Sequence, residues 1–140
     1  MIANRSVPSA AVIPVLAYAD VGQASDWLCA AFGFRQRLRI GDHRAQLVLG
    51  DGAVILTARS EPDSAGAETA IHSVLVRVED AERHHDQARA HGARILNAPA
   101  DYPYGERQYT AADLGGHHWT FSQSIADVNP EDWGGAPGTL

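Results

Sequence analysis

The stretch from Tyr102 to Ser122, YPYGERQYTAADLGGHHWTFS, decides the fold. It contains two short runs rich in aromatic and β-branched residues, Gln108 to Ala112 and His117 to Gln123. The turn Asp113-Leu114-Gly115-Gly116 separates them. Extended runs on either side of a glycine-rich turn are typical of a β-hairpin.

The two faces of the second hairpin strand differ in character. Successive side chains of a strand point to opposite faces. One face therefore carries His117, Trp119 and Phe121, and the other carries His118, Thr120 and Ser122. We expect the aromatic face to pack in a core and the polar face to line a site.

The chain divides into two related halves, the second of which contains the hairpin, and a polar linker from Ser60 to Glu68 joins them. Each half begins with an apolar run that ends in an aspartate: Val12 to Asp20, and Ile71 to Asp80. Each continues with a helix-like segment that a glycine follows: Val21 to Phe32, and Ala81 to His91. Asp20 and Asp80 are predicted helix N-caps, and Gly33 and Gly92 fit the position after a helix end.

Three further strands are predicted in each half, which gives the order βαβββ twice. They are Phe34 to Ile40, Arg44 to Leu49 and Ala53 to Ala58, then Ala93 to Asn97, Gln108 to Ala112 and His117 to Gln123. The first of these strands alternates, which predicts a half-buried strand with a solvated face of arginines. A long loop is expected from Ala98 to Arg107, and loops of that length are usually functional or mobile.

Composition restricts the function classes. The chain has 140 residues and a net charge of −6 without a basic block, so neither nucleic acid nor a membrane is an expected partner. The apolar run from Ala10 to Ala19 imitates a signal peptide, but Pro14 and the repeat favour a strand. The single cysteine, Cys29, favours a reducing compartment and hence the cytoplasm.

The pattern YGERxY followed by D-x-x-G-H-x-W-x-F, from Tyr104 to Phe121, resembles the C-terminal strands of the vicinal oxygen chelate superfamily. That superfamily includes glyoxalase I, bleomycin-resistance proteins and extradiol dioxygenases, and the resemblance is greatest to its PhnB-like branch. It covers about Val12 to Gln123. It implies an α+β fold in which two βαβββ modules form a curled mixed sheet around a cleft. The predicted domain spans residues 1–123, with modules at about 10–59 and 69–123, and residues 124–140 form a C-terminal arm.

The resemblance also implies where metal ligands would lie, on the first and last strands of each module. Counting back from the capping aspartates and aligning the last strands gives Val12, Ile55, His72 and Thr120. Only His72 binds divalent ions well, and a catalytic metal site needs about three protein ligands. No metal and no cofactor are therefore expected.

These observations predict metal-free binding of a small, antibiotic-like molecule in the cleft between the modules. The alternatives are a metal-dependent lyase, isomerase or dioxygenase of the glyoxalase type, and a metal-free enzyme that uses His72 as a base. Strand alternation predicts that Val12, Pro14, Leu16, His72, Val74 and Val76 face the cleft. The predicted ligand-binding residues are Pro14, Ile55, His72, Tyr102, Tyr104, Arg107, His118 and Thr120.

Two of these assignments have open alternatives. Tyr102 and Tyr104 stack on a planar ligand, or they fasten the loop to the sheet. Arg107 contacts the ligand, or it pairs with Glu106, Asp101 or a carboxylate of the tail. The resemblance further implies a homodimer, and Trp133 in the arm packs across its interface or within its own subunit.

Overall fold

The computed structural model describes residues 2–59, 72–136 and 138, and it contains the βαβββ order twice. The predicted linker, Ser60 to Glu68, lies outside these residues. The first module consists of β1 (Val15–Tyr18), α1 (Val21–Phe32), β2 (Arg35–Ile40), β3 (Arg44–Leu49) and β4 (Gly52–Ala58). The second consists of β5 (Val74–Arg77), α2 (Ala81–Ala90), β6 (Arg94–Tyr102), β7 (Glu106–Ala112) and β8 (His118–Ser124). A short 3-10 helix, Pro130–Trp133, follows.

The strands form two four-stranded mixed sheets, ordered β1-β4-β3-β2 and β5-β8-β7-β6. In each sheet the first strand of the module pairs in parallel with the last, and the remaining pairs are antiparallel. The predicted α+β fold of two βαβββ modules is confirmed. The short strands β1 and β5 each form an edge, where backbone groups have no strand partner in their own sheet.

Both helices begin as the sequence predicts. The carboxylate of Asp20 accepts a hydrogen bond from the Gln23 amide at 3.0 Å, and that of Asp80 accepts from the Arg83 amide at 3.1 Å. Such a cap is typically worth about 1 kcal/mol. α1 has the predicted bounds, and α2 ends one residue earlier than expected.

The core lies between the helices and one face of each sheet. Phe32, at the end of α1, contacts Trp119 and Phe121 of β8 edge to face, with ring centroids 5.4 and 4.8 Å apart. Trp119 and Phe121 are fully buried, which confirms that the aromatic face of this strand packs in the core. Burial of a large apolar side chain is worth about 1.5–3 kcal/mol, so these rings fix the two modules to each other.

The assignment of cleft-facing residues on the first strands was wrong for Leu16, which is buried in the core. Val74 and Val76 pack against that core and also line the groove between the modules. Parallel pairing places Val15 beside Ile55 and Leu75 beside Thr120, so these residues face away from the helices. A run of consecutive apolar residues carries no alternation signal, and counting from the capping aspartates therefore missed the register.

Two predicted elements also differ from the structure. β2 is exposed along its whole length instead of half-buried, because it is an edge strand with a bulge between Gln36 and Leu38. The expected long loop from Ala98 to Arg107 is absent, since β6 continues to Tyr102 and a tight turn leads into β7. Pro99 suggested a loop, but an edge strand tolerates proline.

No helix within the described part of the chain is long and apolar enough to cross a membrane.

Candidate ligand-binding site

A groove of about 710 Å³ runs between the two modules. One wall comes from the segment before β1 and from the β3–β4 hairpin, and the other comes from β5 and the end of β8. The lining residues are Val12, Pro14, Phe34, Leu49, Gly50, Asp51, Gly52, Ala53, Val54, Val74, Leu75, Val76, Arg77, Val78, Glu79, Gln123 and Ser124. Most are apolar, with a few polar groups among them, and this composition is typical of small-molecule sites.

Two apolar side chains of the groove are unusually exposed. Val12 is 82% exposed and Leu75 is 61% exposed, although both are large aliphatic residues. Covering such side chains releases about 25 cal/mol per Å² of apolar surface. A ligand with an apolar body would therefore gain the most binding free energy in this groove. Asp51, Arg77 and Glu79 offer charges to the polar groups of such a ligand.

The four positions that the resemblance implies for metal ligands carry Val12 and Ile55 in the first module and His72 and Thr120 in the second, and Ile55 and Thr120 pair with Val15 and Leu75. Two aliphatic side chains, a neutral hydroxyl and a single imidazole cannot replace the hydration shell of a divalent cation. Among the residues the structure describes, no three His, Cys, Asp or Glu side chains lie close enough together to hold a metal ion. These residues therefore do not fit a metal of the glyoxalase type.

The face of the second sheet that lies away from the helices is a polar network. The hydroxyls of Thr110 and Thr120 are 3.0 Å apart. The Gln108 amide donates to Ser122 at 3.0 Å, and the Ser122 hydroxyl donates to the Glu106 carboxylate at 2.7 Å. Hydrogen bonds from Ser124 and Ser122, with the nearby charge of Arg77, lower the pKa of Glu106. The network presents an anionic group near the end of the groove that Ser124 and Arg77 line.

An aromatic cluster lies at the β6–β7 turn. The rings of Tyr102 and Tyr104 stack with centroids 5.6 Å apart, and Trp133 packs on Tyr104 at 5.1 Å. The Tyr104 hydroxyl donates to Gln108 at 3.2 Å, which joins the cluster to the polar network. In this structure the tyrosines fasten the turn and the C-terminal arm together, and Trp133 packs within its own chain.

Arg107 has a carboxylate partner across the β6–β7 pair. Its guanidinium donates two hydrogen bonds to Asp101, at 2.7 and 3.2 Å. These bonds lower the pKa of Asp101 and raise that of Arg107. Of the two alternatives for Arg107, ligand contact or pairing with a carboxylate, this conformation has the pairing.

Asp113, the aspartate of the motif that carries the family resemblance, holds the fold together through hydrogen bonds. One oxygen of the buried Asp113 carboxylate accepts from the amides of Gly115 and His117, both at 2.9 Å. The other accepts from the Tyr18 hydroxyl at 2.6 Å and the Trp119 indole at 3.0 Å. Because Tyr18 belongs to β1, this carboxylate connects the first module to the β7–β8 turn of the second.

A second buried contact between the modules involves His84. Its Nε2–H donates to the Phe32 carbonyl at 3.0 Å, and its Nδ1 accepts from the Tyr109 hydroxyl in a short hydrogen bond. Burial lowers the pKa of His84 and raises that of Tyr109. Neither residue lines the groove, so we assign the pair to the core. Burial also raises the pKa of the Cys29 thiol, which disfavours a nucleophilic role.

The structure does not bring the eight predicted ligand-binding residues together. Pro14 lines the groove. Ile55 is a buried residue of β4 in the first sheet, and His72 is exposed just before β5. His118 lies beside a small polar pocket of about 450 Å³ that also includes Arg94, Asn97 and Thr110, whereas Thr120 belongs to the polar network. Tyr102, Tyr104 and Arg107 lie at the β6–β7 turn.

Sequence reasoning missed Leu75, Arg77 and Glu79 as groove residues. They were missed because strand alternation assigned only one face of β5 to the cleft, whereas residues from both faces of this edge strand line the groove. The alternation of Arg77 and Glu79 with Val76 and Val78 was the signal that could have placed them.

Known proteins share this architecture. TioX from Micromonospora sp. ML1 is 37% identical, with 81% of this chain and 98% of that chain covered and a TM-score of 0.67. TnmS3, an antibiotic binding protein from Streptomyces sp. CB03234, has the same fold at 20% identity, covering 80% of this chain and 93% of that chain with a TM-score of 0.64. The uncharacterized protein Mb0911c of Mycobacterium bovis is 24% identical over 87% of this chain and 88% of its own length. Residues 11–121 match the model of the Glyoxalase/Bleomycin resistance protein/Dioxygenase superfamily, and the chain therefore belongs to that superfamily.

Proposed function

We propose that this protein binds a small, antibiotic-like molecule in the groove between its modules and that it does so without a metal. The observation that carries the proposal is the groove itself, about 710 Å³ in volume and walled by the exposed side chains of Val12 and Leu75. Val12, Ile55 and Thr120 at three of the four implied ligand positions support binding without metal-dependent catalysis. TnmS3, named as an antibiotic binding protein, motivates the ligand class.

The ligand that suits this groove has an apolar or planar body and carries a cationic group. The apolar body covers Val12 and Leu75, and the cation lies toward Glu79 and the Glu106 network. The net charge of −6 favours the approach of such a ligand over that of an anion. Stacking of a planar part of the ligand on Tyr102 and Tyr104, beyond the groove, stays a prediction. It would require the C-terminal arm to move away, because Trp133 packs on Tyr104.

A thermal-shift screen of apolar cations tests this proposal, because a ligand that binds only the folded state raises the melting temperature. We expect Leu75→Asp to weaken a hit about tenfold, since burying a leucine side chain is worth about 1.5 kcal/mol or more. Ile40→Asp is the matched control, because Ile40 is an exposed aliphatic residue of β2 outside the groove. Equal affinities for the two variants would show that the ligand binds elsewhere.

We also infer a homodimer. Val15 and Leu75 expose 54% and 61% of their surface on the edge strands β1 and β5, and such edges are usually covered. Light scattering at micromolar concentration tests this inference, and a monomer mass would contradict it. The same measurement on Leu75→Asp shows whether that variant changes assembly as well as binding. The PhnB-like branch, the domain bounds and the cytoplasmic location stay predictions.

A further inference from the structure

Strand β2 is an open edge of the first sheet. It pairs only with β3, and all of its residues are exposed. The Gln36 backbone hydrogen-bonds to the Cys29 thiol of α1, so the open part of the edge runs from Arg37 to Ile40. Within the described part of the chain, no backbone hydrogen bond from outside the sheet reaches this stretch. Its outward N–H and C=O groups can therefore pair with a further strand.

The same edge is basic, although the chain is acidic. The segment from Arg35 to Arg44 contains four arginines and one aspartate, a net charge of +3, whereas the whole chain carries −6. Three of these arginines, Arg35, Arg37 and Arg39, occupy alternate positions of β2. Charges are screened beyond about 8 Å at physiological ionic strength. A group that lies against this edge therefore meets positive charge.

Two of the three arginines on β2 have no carboxylate partner among the residues that the structure describes. Arg39 is compensated, since its guanidinium lies 3.4 Å from the Asp26 carboxylate of α1. The guanidinium of Arg37 donates to a side-chain amide oxygen and to a backbone carbonyl, both of which are neutral. Arg35 is exposed and has neither a hydrogen bond nor an ion pair. The edge therefore carries uncompensated positive charge at Arg35 and Arg37.

The chemistry of the edge favours one kind of partner. A second copy of β2 is a poor one, because pairing two such strands brings arginines close to arginines, and like charges across a strand pair are destabilising. Leu38 and Ile40 each expose 37% of their surface, so the edge also offers apolar contact. A free backbone beside a strand selects a polypeptide over a nucleic acid. An extended segment with acidic and apolar residues complements all of these features.

We propose that β2 is a docking edge for an extended acidic segment of a partner protein, which adds a strand to the first sheet. The carboxylates of that segment pair with Arg35 and Arg37, and its backbone bonds to the stretch from Arg37 to Ile40. The added strand lies beside β2 in the plane of the sheet and not on either face. No residue of β2 lines the groove, so this docking is independent of ligand binding there.

The role of charge is tested with a labelled, end-blocked TEVEVET peptide, whose binding is measured by fluorescence anisotropy. We expect Arg35→Glu to weaken binding about fivefold, because attraction by an exposed charge becomes repulsion. Arg83→Glu is the matched control, since Arg83 is an exposed arginine of α2 and both variants change the net charge equally. It should bind within about twofold of the wild type. Equal affinities for the two variants, or no binding of the peptide at about 1 mM, would overturn the proposal.

Strand pairing is tested with a TEVEVET peptide that is N-methylated on every amide, which keeps the charges and removes the backbone donors. We expect this peptide to bind at least about tenfold more weakly. The unmodified peptide should slow the hydrogen exchange of amides between Arg37 and Ile40, measured by NMR, because outward amides gain acceptors. Equal binding of the methylated peptide, unchanged exchange, or competition by single-stranded DNA at the same charge concentration would refute strand docking. Each of these results would leave the groove untouched, which Leu75→Asp tests separately.

Discussion

Replacing Asp113 by asparagine should destabilise the fold strongly although it changes one atom of the side chain. The retained oxygen still accepts from the Gly115 and His117 amides, so the new amide group faces Tyr18 and Trp119. The Tyr18 hydroxyl can rotate and accept from it. The Trp119 indole is only a donor, and it is fully buried, so it loses its partner.

The expected cost follows from that one unsatisfied group. A buried donor left without an acceptor, previously bonded to a carboxylate, costs about 2 kcal/mol. With a urea m-value of about 2 kcal/mol per molar, the unfolding midpoint should fall by about 1 M with an unchanged slope. Asp113→Ala, which leaves all four donors without the carboxylate, should cost about 4 kcal/mol.

Urea unfolding followed by tryptophan fluorescence measures both variants. Asp42→Asn, in an exposed turn between β2 and β3, is the matched control and should stay within about 0.5 kcal/mol of the wild type. A double-mutant cycle of Asp113→Asn with Tyr18→Phe should give a non-zero coupling energy, because the two side chains share one hydrogen bond. If Asp113→Asn matched the Asp42→Asn control, the carboxylate would not be the link between the modules.

Three other predictions concern parts of the fold away from the groove. Because burial lowers the pKa of His84, the unfolded chain binds the proton more readily than the folded protein, so the free energy of unfolding should be greatest above about pH 6.5 and should fall as the pH drops from there. Urea midpoints measured across this pH range should fall less in His84→Gln than in the wild type. An equal fall would contradict the assignment. Gly105→Ala should destabilise more than Gly33→Ala. Both glycines have φ near +85°, but only a Cβ at Gly105 would clash with the Ala126 carbonyl oxygen. Equal urea midpoints for the two variants would contradict the contact between this turn and the C-terminal arm. Because burial raises the pKa of the Cys29 thiol, it should react with iodoacetamide more slowly than free cysteine at pH 7.5. Intact mass measured over time gives the rate, and a rate equal to that of free cysteine would contradict this reasoning.

The sequence predicted the elements that carry strong local signals. The capping aspartates, Asp20 and Asp80, placed both helix starts, because a side-chain acceptor at the end of an extended run satisfies the free amides of a helical first turn. The aromatic face of β8 was also correct, since Trp119 and Phe121 alternate with polar residues. These signals sufficed for the fold class.

The candidate site was harder to predict because it depends on register and on distant parts of the chain. The faces of β1 and β5 are set by pairing with β4 and β8, and consecutive apolar residues do not reveal that pairing. The sequence left three kinds of carboxylate open as the partner of Arg107, and the extension of β6 past Pro99 selects Asp101 by bringing it alongside. The contacts of Arg5 and Ser6 with β2 and β3 span more than 30 residues and have no local signature.

The most direct test of metal-free binding is a calorimetric titration of a screened ligand into protein dialysed against EDTA. We expect the same dissociation constant, within about twofold, for the chelated and the untreated protein, because the groove offers apolar walls and polar side chains instead of metal ligands. Loss of binding in the chelated protein, with recovery on adding one equivalent of a transition metal, would contradict this account.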